Sequence, residues 1–367
     1  MKIVLIILKI VFSLFIFLFA LATFLGRSYV QTISLLALIF FIFYWPSVKN
    51  RQLISRITRR LTIAILFLLQ FTFFKGEPKT SIYISQSAEE NIYSKYAEKR
   101  LDWPADTEDL FITTQYGKVH VLASGHDSLP PVLLLHAASM GAHSWAENLS
   151  PLLGKYRIYA VDNIGEGNLS VLDDPMKYPN TPKAIADLYA DIAGQLDIEH
   201  APVIGASNGG YIAQVFTCYY PQKVDALILL GPMGITSLSN KSIFMMSVAS
   251  MYPIQFIRDG VQKWALGTDT YVNEKYGNWF NAILKGTIPS IAMPVPLTNE
   301  QKFEMKLPVL LFLGTSDPIV GPDATAKKIA EVYPNIKIEI LESGHLIGVE
   351  RRNVVNKSIA AFLESGF

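Results

Sequence analysis

Three side chains in this sequence have the types and the order required of a serine nucleophile with its base and acid: Ser207, Asp317 and His345. A serine hydroxyl attacks a carbonyl readily only when a base lies beside it, and an imidazole held by a carboxylate is a common base. Each of the three follows a short apolar run of the kind that forms a strand. We therefore predict Ser207 as the nucleophile, His345 as the base and Asp317 as the acid that orients the base.

The residues around Ser207 support this assignment. Residues 203–211 have the pattern of a strand that enters a Gly-x-Ser-x-Gly turn and continues into a helix. Such a turn exposes the serine hydroxyl above the sheet, while Gly205 and Gly209 let the strand and the helix approach each other. The backbone N–H of Asn208 then points to the place where an oxyanion forms. The five-residue pattern alone is weak evidence, and the acid and the histidine at later strand ends make it specific.

The elements that must position these residues begin near residue 108. From there the chain alternates short β-rich runs with helix-length stretches, which is typical of a mostly parallel sheet with helices on both faces. The predicted strands, the first two forming a hairpin, are 110–114, 118–123, 132–136, 157–161, 202–204, 226–230, 309–313 and 337–341. Apolar residues dominate both faces of the middle strands, as expected of strands that are covered on both sides.

Two further motifs give a family resemblance. Leu135-His136-Ala137-Ala138 is similar to the His-Gly-x loop after the third strand of the α/β-hydrolase superfamily, and residues 162–167 are similar to its Asp-x-x-Gly-x-Gly. Residues 108–365 therefore resemble this superfamily, specifically its capped bacterial esterases and carbon–carbon bond hydrolases. The resemblance implies an α/β-hydrolase fold with an eight-stranded sheet, and it makes the N–H of Ala138 the second oxyanion-hole donor. Ala137 replaces the family glycine, and we interpret His136 as a structural histidine.

The same resemblance predicts a helical cap between two strands of the sheet. Residues from about 235 to 305 interrupt the strand order and are rich in Met, Phe, Tyr and Trp. In the family this position holds a cap over the active site, and an apolar lining implies a substrate with an acyl or aromatic group. We predict Met140, Trp279 and Phe280 as substrate contacts. The alternative is that such side chains form the core of the cap itself.

The expected reaction is cleavage of a carboxylic ester, or a related acyl bond, through an acyl-enzyme. A carbon–carbon bond hydrolase or an acyltransferase on the same triad is the first alternative. A non-catalytic or slow-turnover ligand sensor, or an anchored scaffold, is the alternative of another class. The chemistry requires no cofactor, and no spacing of His, Cys or Asp suggests a metal site. The predicted partner is a small acyl substrate, and the sequence leaves the oligomeric state open.

The first part of the chain has a different composition. Residues 1–80 carry ten Lys and Arg against the single acid Glu77, a net charge of +9, which leaves −8 for the rest of a chain of net charge +1. Apolar runs occupy residues 10–25, 28–48 and 61–74. Because the basic region is also the most apolar, it indicates a lipid bilayer and not nucleic acid. We predict a membrane anchor of two or three transmembrane helices in residues 1–76, a linker in 77–107 and the hydrolase domain in 108–365.

The distribution of cations predicts the orientation of this anchor. Five of them, Lys49, Arg51, Arg56, Arg59 and Arg60, follow the second apolar run, whereas only Arg27 follows the first. Loops that are rich in Lys and Arg remain in the cytoplasm. Three spans would then place the hydrolase domain outside the membrane, and two would leave it in the cytoplasm. We expect a multi-pass protein of the cell membrane with an extracytoplasmic catalytic domain.

Overall fold

The computed structural model describes residues 81–235, 239, 241–242, 245, 255–320, 329 and 333–366. The chain divides into two units, Met1–Lys79 and Thr80–Phe367, and all the described residues belong to the second. The predicted membrane segments in residues 1–76 lie outside the described residues. Within the described part of the chain, no helix combines the length and the apolar character that crossing a bilayer requires.

The described strands form one mostly parallel sheet in the order β1-β2-β4-β3-β6-β7-β8-β9, with β5 paired to β2. Only the pairs of β2 with β1, β4 and β5 are antiparallel. The strands are β1 Glu108–Thr114, β2 Gly117–Ser124, β3 Pro131–Leu135, β4 Arg157–Val161, β5 Val171–Leu172, β6 Ala201–Ala206, β7 Val224–Leu230, β8 Val309–Gly314 and β9 Ile336–Leu341. All eight predicted strands are present. The ninth, β5, has two residues and is too short to give a periodic signal in the sequence.

Helices connect the parallel strands and cover the sheet. They are α1 Gln86–Arg100, α2 Pro182–Gln195, α3 Asn208–Tyr219, α4 Gln255–Leu266, α5 Thr270–Gly286, α6 Asn299–Glu304, α7 Ile347–Glu350 and α8 Arg352–Glu364. A 3-10 helix, Ala142–Asn148, follows β3. Helices α4, α5 and α6 lie in the chain between β7 and β8, where the sequence predicted a cap. The observed mostly parallel sheet with helices on both faces agrees with the α/β-hydrolase part of the predicted fold class, while the predicted transmembrane helices lie outside the described residues.

The core lies on both faces of the sheet because side chains alternate along each strand. In β3, Leu133 and Leu135 contribute to the larger core cluster, while Val132 and Leu134 contribute to the cluster on the opposite face. All four side chains are buried. A strand with apolar residues on both faces is stable only when both are covered, which explains the continuous apolar runs of the central strands.

The carboxyl ends of the parallel strands meet at one edge of the sheet. Leu135 at the end of β3 pairs with Gly205 of β6, and Ala206 pairs with Leu230 at the end of β7, which in turn pairs with Phe312 of β8. Loops that leave these ends are therefore neighbours in space although they are far apart in the sequence. In open α/β sheets such an edge is where ligands bind.

The predicted linker in residues 77–107 is wrong for the part that the structure describes. Helix α1 begins after the N-cap Ser85, and its residues Ile92 and Tyr96 are buried against Trp279 and Ile283 of α5. The prediction failed because most residues of α1 are polar or charged. Its few apolar residues lie four apart, on one face of the helix, where they pack on α5. Residues 86–103 thus belong to the hydrolase unit.

His143 occupies the contact between α1 and α5. Its ring is fully buried and lies edge-on to the rings of Tyr96 and Trp279, with centroids 4.9 and 4.4 Å away. Neither ring nitrogen has a hydrogen-bond partner among the described residues. Burial, partly opposed by the charge of Asp162, lowers the pKa of His143 to about 3. The imidazole is therefore neutral in the folded protein.

Replacement of this histidine should change how the stability depends on pH. Free histidine titrates near pH 6.5, so between about pH 6.5 and 3 the unfolded chain binds a proton that the folded chain does not. This difference should destabilise the wild type by about 2 kcal/mol at pH 5 relative to pH 8. His143→Phe should remove that contribution, which urea unfolding at the two pH values measures. The exposed His126→Ala serves as control, and an unchanged pH dependence in His143→Phe would contradict the account.

Candidate active site

Ser207 lies on a sharp turn between β6 and α3, and its backbone has φ 49° and ψ −112°. A non-glycine residue rarely has a positive φ, which identifies a strained turn that the surrounding structure must hold. The flanking glycines make the turn possible. A Cβ on Gly205 would lie 2.5 Å from the carbonyl oxygen of Gly209, and one on Gly209 would lie 2.0 Å from that of Leu135. Both distances are too short for any side chain.

The three predicted catalytic side chains meet in one hydrogen-bonded line. His345 Nε2 lies 2.7 Å from Ser207 Oγ, and His345 Nδ1 lies 2.8 Å from Asp317 Oδ2. All three residues are buried, with 4 to 6% of their surface exposed. Nucleophile and base are at the distance needed for proton transfer, and the carboxylate fixes the tautomer in which Nε2 accepts the serine proton.

Asp317 is held as an anion by the loop that follows β8. Its Oδ1 accepts hydrogen bonds from the N–H groups of Ile319 at 2.8 Å and Val320 at 3.1 Å. Burial disfavours the charged form, but His345 and these two N–H groups together hold the pKa of Asp317 below its usual value. The carboxylate therefore stays ionised and orients the imidazole without taking its proton.

The loop that carries His345 is fixed by a second carboxylate. Glu350 Oε2 in α7 accepts a hydrogen bond of 2.7 Å from the N–H of Gly344, next to the histidine. Burial raises the pKa of Glu350. This short connection within six residues anchors the base to the fold and limits its movement relative to Ser207.

The two predicted oxyanion donors are available. No described residue accepts a hydrogen bond from the backbone N–H of Ala138 or Asn208. Asn208 is the first residue of α3, where a backbone N–H has no partner within the helix. Ala138 lines the active-site cavity beside Ser207. The backbone of Ala137 does not have a positive φ. Alanine in place of the family glycine therefore causes no strain of the left-handed kind at this position.

His136 ties the loop after β3 to the loop after β4. Its Nε2 accepts a hydrogen bond of 2.9 Å from the N–H of Asn163, and its Nδ1 lies 2.7 Å from the carbonyl oxygen of Ala137 and 3.2 Å from the backbone nitrogen of Gly141. Asp162 adds to the same support, because its Oδ1 accepts from the N–H of Ala142 and its Oδ2 lies 2.8 Å from His120 Nδ1. These buried groups hold the oxyanion loop, as the structural interpretation of His136 expects.

An apolar cavity opens beside Ser207 and reaches under the cap. Val261, Trp264 and Leu266 of α4 line it together with Phe280 and Ile283 of α5. Its other lining residues are Ala137, Ala138, Ser139, Met140, Ser207, Met233, Ala265, Leu284, Thr287, Pro289, Ile291, Ile319, His345 and Leu346. Of the predicted substrate contacts, Met140 and Phe280 line this cavity.

Trp279 does not line it, and that prediction needs correction. Its side chain is on the other face of α5, where it is buried against Tyr96 and His143. Its Nε1 donates a hydrogen bond of 2.9 Å to the carbonyl oxygen of Ser139. Adjacent residues of a helix point about 100° apart, and here Trp279 points toward Tyr96 and His143 while Phe280 points into the cavity. Trp279 thus links α5 to the oxyanion loop.

A second, smaller cavity also borders Ser207. It shares five lining residues with the large cavity: Ala137, Met140, Ser207, His345 and Leu346. Its remaining lining residues are Ser144, Trp145, Asn148, Ala206, Leu230, Ile347, Gly348 and Val349. Ser207 therefore borders both a large apolar cavity and a small one, which suits a substrate with two unequal groups.

Sequence reasoning missed Glu166, whose carboxylate contacts both loops of the oxyanion hole. Its position between two glycines in the motif at 162–167 was visible, but nothing in the sequence indicates where the side chain points.

Among the described residues, no three His, Cys, Asp or Glu side chains converge as metal ligands do.

Replacement of triad residues should separate their roles. We expect Ser207→Ala to abolish labelling by a fluorophosphonate probe, because the labelled atom is Ser207 Oγ. Asp317→Asn should keep the fold and reduce the labelling rate about a thousandfold or more, because the amide favours the wrong tautomer of His345. In-gel fluorescence and thermal unfolding measure the two effects. Persistent labelling of Ser207→Ala would remove Ser207 as the nucleophile, and full activity of Asp317→Asn would require another acid.

Known proteins resemble this chain in sequence and in structure. A model of the α/β hydrolase fold family matches residues 130–256. An uncharacterized carboxylesterase of Bacillus subtilis, nap, is 26% identical over 284 residues, which cover 74% of this chain and 92% of that protein. The carboxylesterase YbfK of the same organism is 23% identical, over 75% of this chain and 94% of its own.

Solved structures give the same result. The naproxen esterase of B. subtilis superposes with a TM-score of 0.70 at 25% identity, over 76% of this chain and 99% of that structure. B. subtilis carboxylesterase CesB superposes with a TM-score of 0.71 at 23% identity, over 77% of this chain and 100% of its own. With the sheet order and the triad described above, these likenesses show that this chain is a hydrolase with the α/β-hydrolase fold.

Proposed function

We propose that this chain hydrolyses carboxylic esters through a covalent acyl-enzyme on Ser207. The observation that carries the proposal is the buried line of Ser207, His345 and Asp317 with two backbone N–H donors beside it. The names of the B. subtilis carboxylesterases that resemble the chain support the same reaction. The alignments span 92% and 94% of these two relatives, so the similarity includes the cap region as well as the sheet.

The geometry supports a two-step acyl transfer. In the first step His345 Nε2 takes the proton of Ser207 as Oγ attacks the ester carbonyl, and the N–H groups of Ala138 and Asn208 bind the oxyanion. The alcohol leaves with the proton that His345 returns, and an acyl-enzyme remains. A water molecule then repeats the sequence, so that the acid is released and Ser207 is restored. Asp317 keeps the imidazole in the required tautomer throughout.

The cavities support a substrate with one large apolar group and one small group. The large cavity is lined almost entirely by carbon atoms of Ala, Met, Leu, Ile, Val, Phe and Trp side chains, and none of its described lining residues is Lys or Arg. Apolar surface that a ligand covers there contributes about 25 cal/mol per Å². The smaller cavity, next to Trp145 and Asn148, has room for a short substituent only.

The lining also favours an ester over the carbon–carbon bond substrates of some relatives. A Cupriavidus pinatubonensis hydrolase that is 25% identical to this chain is named for dioate substrates. Carboxylate groups buried in an apolar site require a cation or several donors beside them. The absence of Lys and Arg from the described lining residues therefore supports a neutral substrate. An acyltransferase differs only in the acceptor of the acyl group, which is an alcohol instead of water. Assays without added alcohol distinguish the two, because only a hydrolase then turns over.

A series of p-nitrophenyl esters tests both the reaction and the assignment of the cavity. We expect the wild type to hydrolyse acetate, butyrate and octanoate esters, and Ser207→Ala to be inactive toward all of them. Phe280→Ala should lower kcat/KM for the octanoate at least tenfold relative to the acetate, because a pocket group contributes about 1 to 3 kcal/mol to discrimination.

Asn278→Ala is the matched control, since Asn278 is exposed on the same helix. It should leave the octanoate-to-acetate ratio unchanged. An equal loss on every ester in Phe280→Ala would mean that Phe280 supports the cap and does not contact the acyl group. Absence of hydrolysis by the wild type, with Ser207 still labelled by fluorophosphonate, would favour the slow-turnover ligand sensor.

We further propose that residues 1–76 anchor the hydrolase to a bilayer through three spans, with the catalytic unit on the outer face. The support is the three apolar runs and the cluster of cations between the second and the third. The third run, residues 61–74, is short, since a helix of that length rises about 21 Å against a hydrocarbon core of about 30 Å. The long side chains of Arg60 and Lys75 at its ends can extend to the two membrane interfaces. Local thinning of the bilayer over the remaining distance costs little free energy.

Accessibility from outside the cell tests this topology. Cys218 is the only cysteine, so Cys218→Ala gives a background to which Ser87→Cys is added. Ser87 is an exposed residue of α1. We expect it to react with a membrane-impermeant maleimide in intact cells, and Ser365→Cys, exposed near the chain end, to react equally. Reaction of both cysteines only after lysis would place the catalytic unit in the cytoplasm and reduce the anchor to two spans.

A further inference from the structure

Glu166 is a buried carboxylate that contacts both halves of the oxyanion hole. It lies in the loop after β4 and is 1% exposed. Its Oε2 accepts a hydrogen bond of 2.8 Å from the backbone N–H of Ser139, and its Oε1 accepts one of 2.7 Å from Nδ2 of Asn208. Ser139 follows the first oxyanion donor, Ala138, and Asn208 supplies the second. One carboxylate therefore connects the two loops that must meet around an oxyanion.

The conformation of Ser139 shows why such a connection is needed. Ser139 has φ 63°, in the left-handed region that a non-glycine residue seldom adopts. Its N–H is held by Glu166, and its carbonyl oxygen accepts the hydrogen bond of 2.9 Å from Trp279 Nε1. Strain of this kind persists only when neighbouring groups hold it. The Ser139 N–H is thus engaged, whereas the preceding N–H of Ala138, which lines the cavity, has no acceptor among the described residues.

We propose that Glu166 is a positioning residue that sets the distance and direction of the Ala138 and Asn208 donors. This inference rests on the proposed function of the same site. Glu166 is not among the residues that line the cavity, so its effect passes through Ser139 and Asn208. Preorganised donors are the largest single contribution to many acyl-transfer reactions, and displacement of one donor weakens binding of the anion.

The effect must come from geometry and not from the charge of Glu166. A carboxylate near the hole repels an oxyanion, so a purely electrostatic role would slow the reaction. Both oxygens of Glu166 face donors, and Asn208 has an amide that can turn to present its oxygen instead. A glutamine at 166 can then accept from the Ser139 N–H and donate to Asn208. The neutral side chain keeps the connection that alanine removes.

Three substitutions test this role. Glu166→Ala should lower kcat for a p-nitrophenyl ester about a hundredfold with KM changed less than threefold, because the lost interaction matters only when the oxyanion forms. The affinity for a trifluoromethyl ketone, which forms an anionic adduct on Ser207, should fall by a similar factor. Glu166→Gln should retain activity within about fivefold of the wild type. Exposed Glu199→Gln is the control and should behave as the wild type.

Exchange of the acceptor side chain at position 166 and the donor side chain at position 208 provides a sharper test. Asn208→Asp alone places two carboxylates in contact and should lose activity as Glu166→Ala does. Combined with Glu166→Gln it restores a donor facing an acceptor, so the double variant should recover at least tenfold over Asn208→Asp. Thermal unfolding reports whether each variant is folded. If Glu166→Ala is unfolded, the comparison of Asn208→Asp with the double variant decides the proposal.

The rate of fluorophosphonate labelling keeps this test independent of the ester proposal. Labelling also passes through an anionic adduct in the oxyanion hole but needs no particular ester. If the wild type is labelled but hydrolyses no ester, the proposed substrate class fails, and the labelling rates of the Glu166 and Asn208 variants still test the positioning role. Wild-type labelling rates and ketone affinity in Glu166→Ala, or no recovery in the folded double variant, would overturn the inference.

Discussion

The backbone of Ser207, with φ 49°, is the constraint around which the active site is arranged. The strained turn places Ser207 at the edge of the sheet and leaves the N–H of Asn208 without an acceptor among the described residues. It is held by hydrogen bonds that reach it from several elements, including those from Ser207 to the carbonyl oxygen of Leu230 and from Met233 to that of Ser207. Gly205 and Gly209 allow the close packing, since any side chain there would overlap the backbone. Strain at such a residue is stable only when the fold holds it from all sides.

Buried polar groups form the supports around this turn. Asp317, Asp162 and Glu166 are each almost fully buried, and each accepts two or more hydrogen bonds from ring, amide or backbone N–H groups. Burial of a charge is costly unless it is paired and hydrogen-bonded. For Asp317 and Asp162 the donors outweigh burial and lower the pKa, whereas for Glu166 burial is the larger effect and raises the pKa. Each carboxylate connects loops that leave different strands and therefore fixes the positions of these loops relative to each other.

The cap and helix α1 connect to the same supports. Trp279 of α5 is packed against Tyr96 of α1 and His143, and it donates to the carbonyl oxygen of Ser139 in the oxyanion loop. Its neighbour Phe280 faces the substrate cavity. One helix of the cap therefore lines the cavity with one face and fixes the oxyanion loop with another. Helix α1 is part of this arrangement and not a spacer before it.

The sequence by itself determined eight of the nine described strands, the order of Ser207, Asp317 and His345, and the α/β-hydrolase fold. Apolar periodicity and turn chemistry act over a few residues, so they are readable in one dimension. The sequence did not determine the direction in which the Trp279 side chain points from α5, the packing of α1 or the contacts of Glu166. Glu166 lies 27 and 42 positions from the groups that it binds, and Trp279 lies 140 positions from its acceptor. Only the tertiary structure decides such contacts, because they depend on which loops the sheet brings to the same edge.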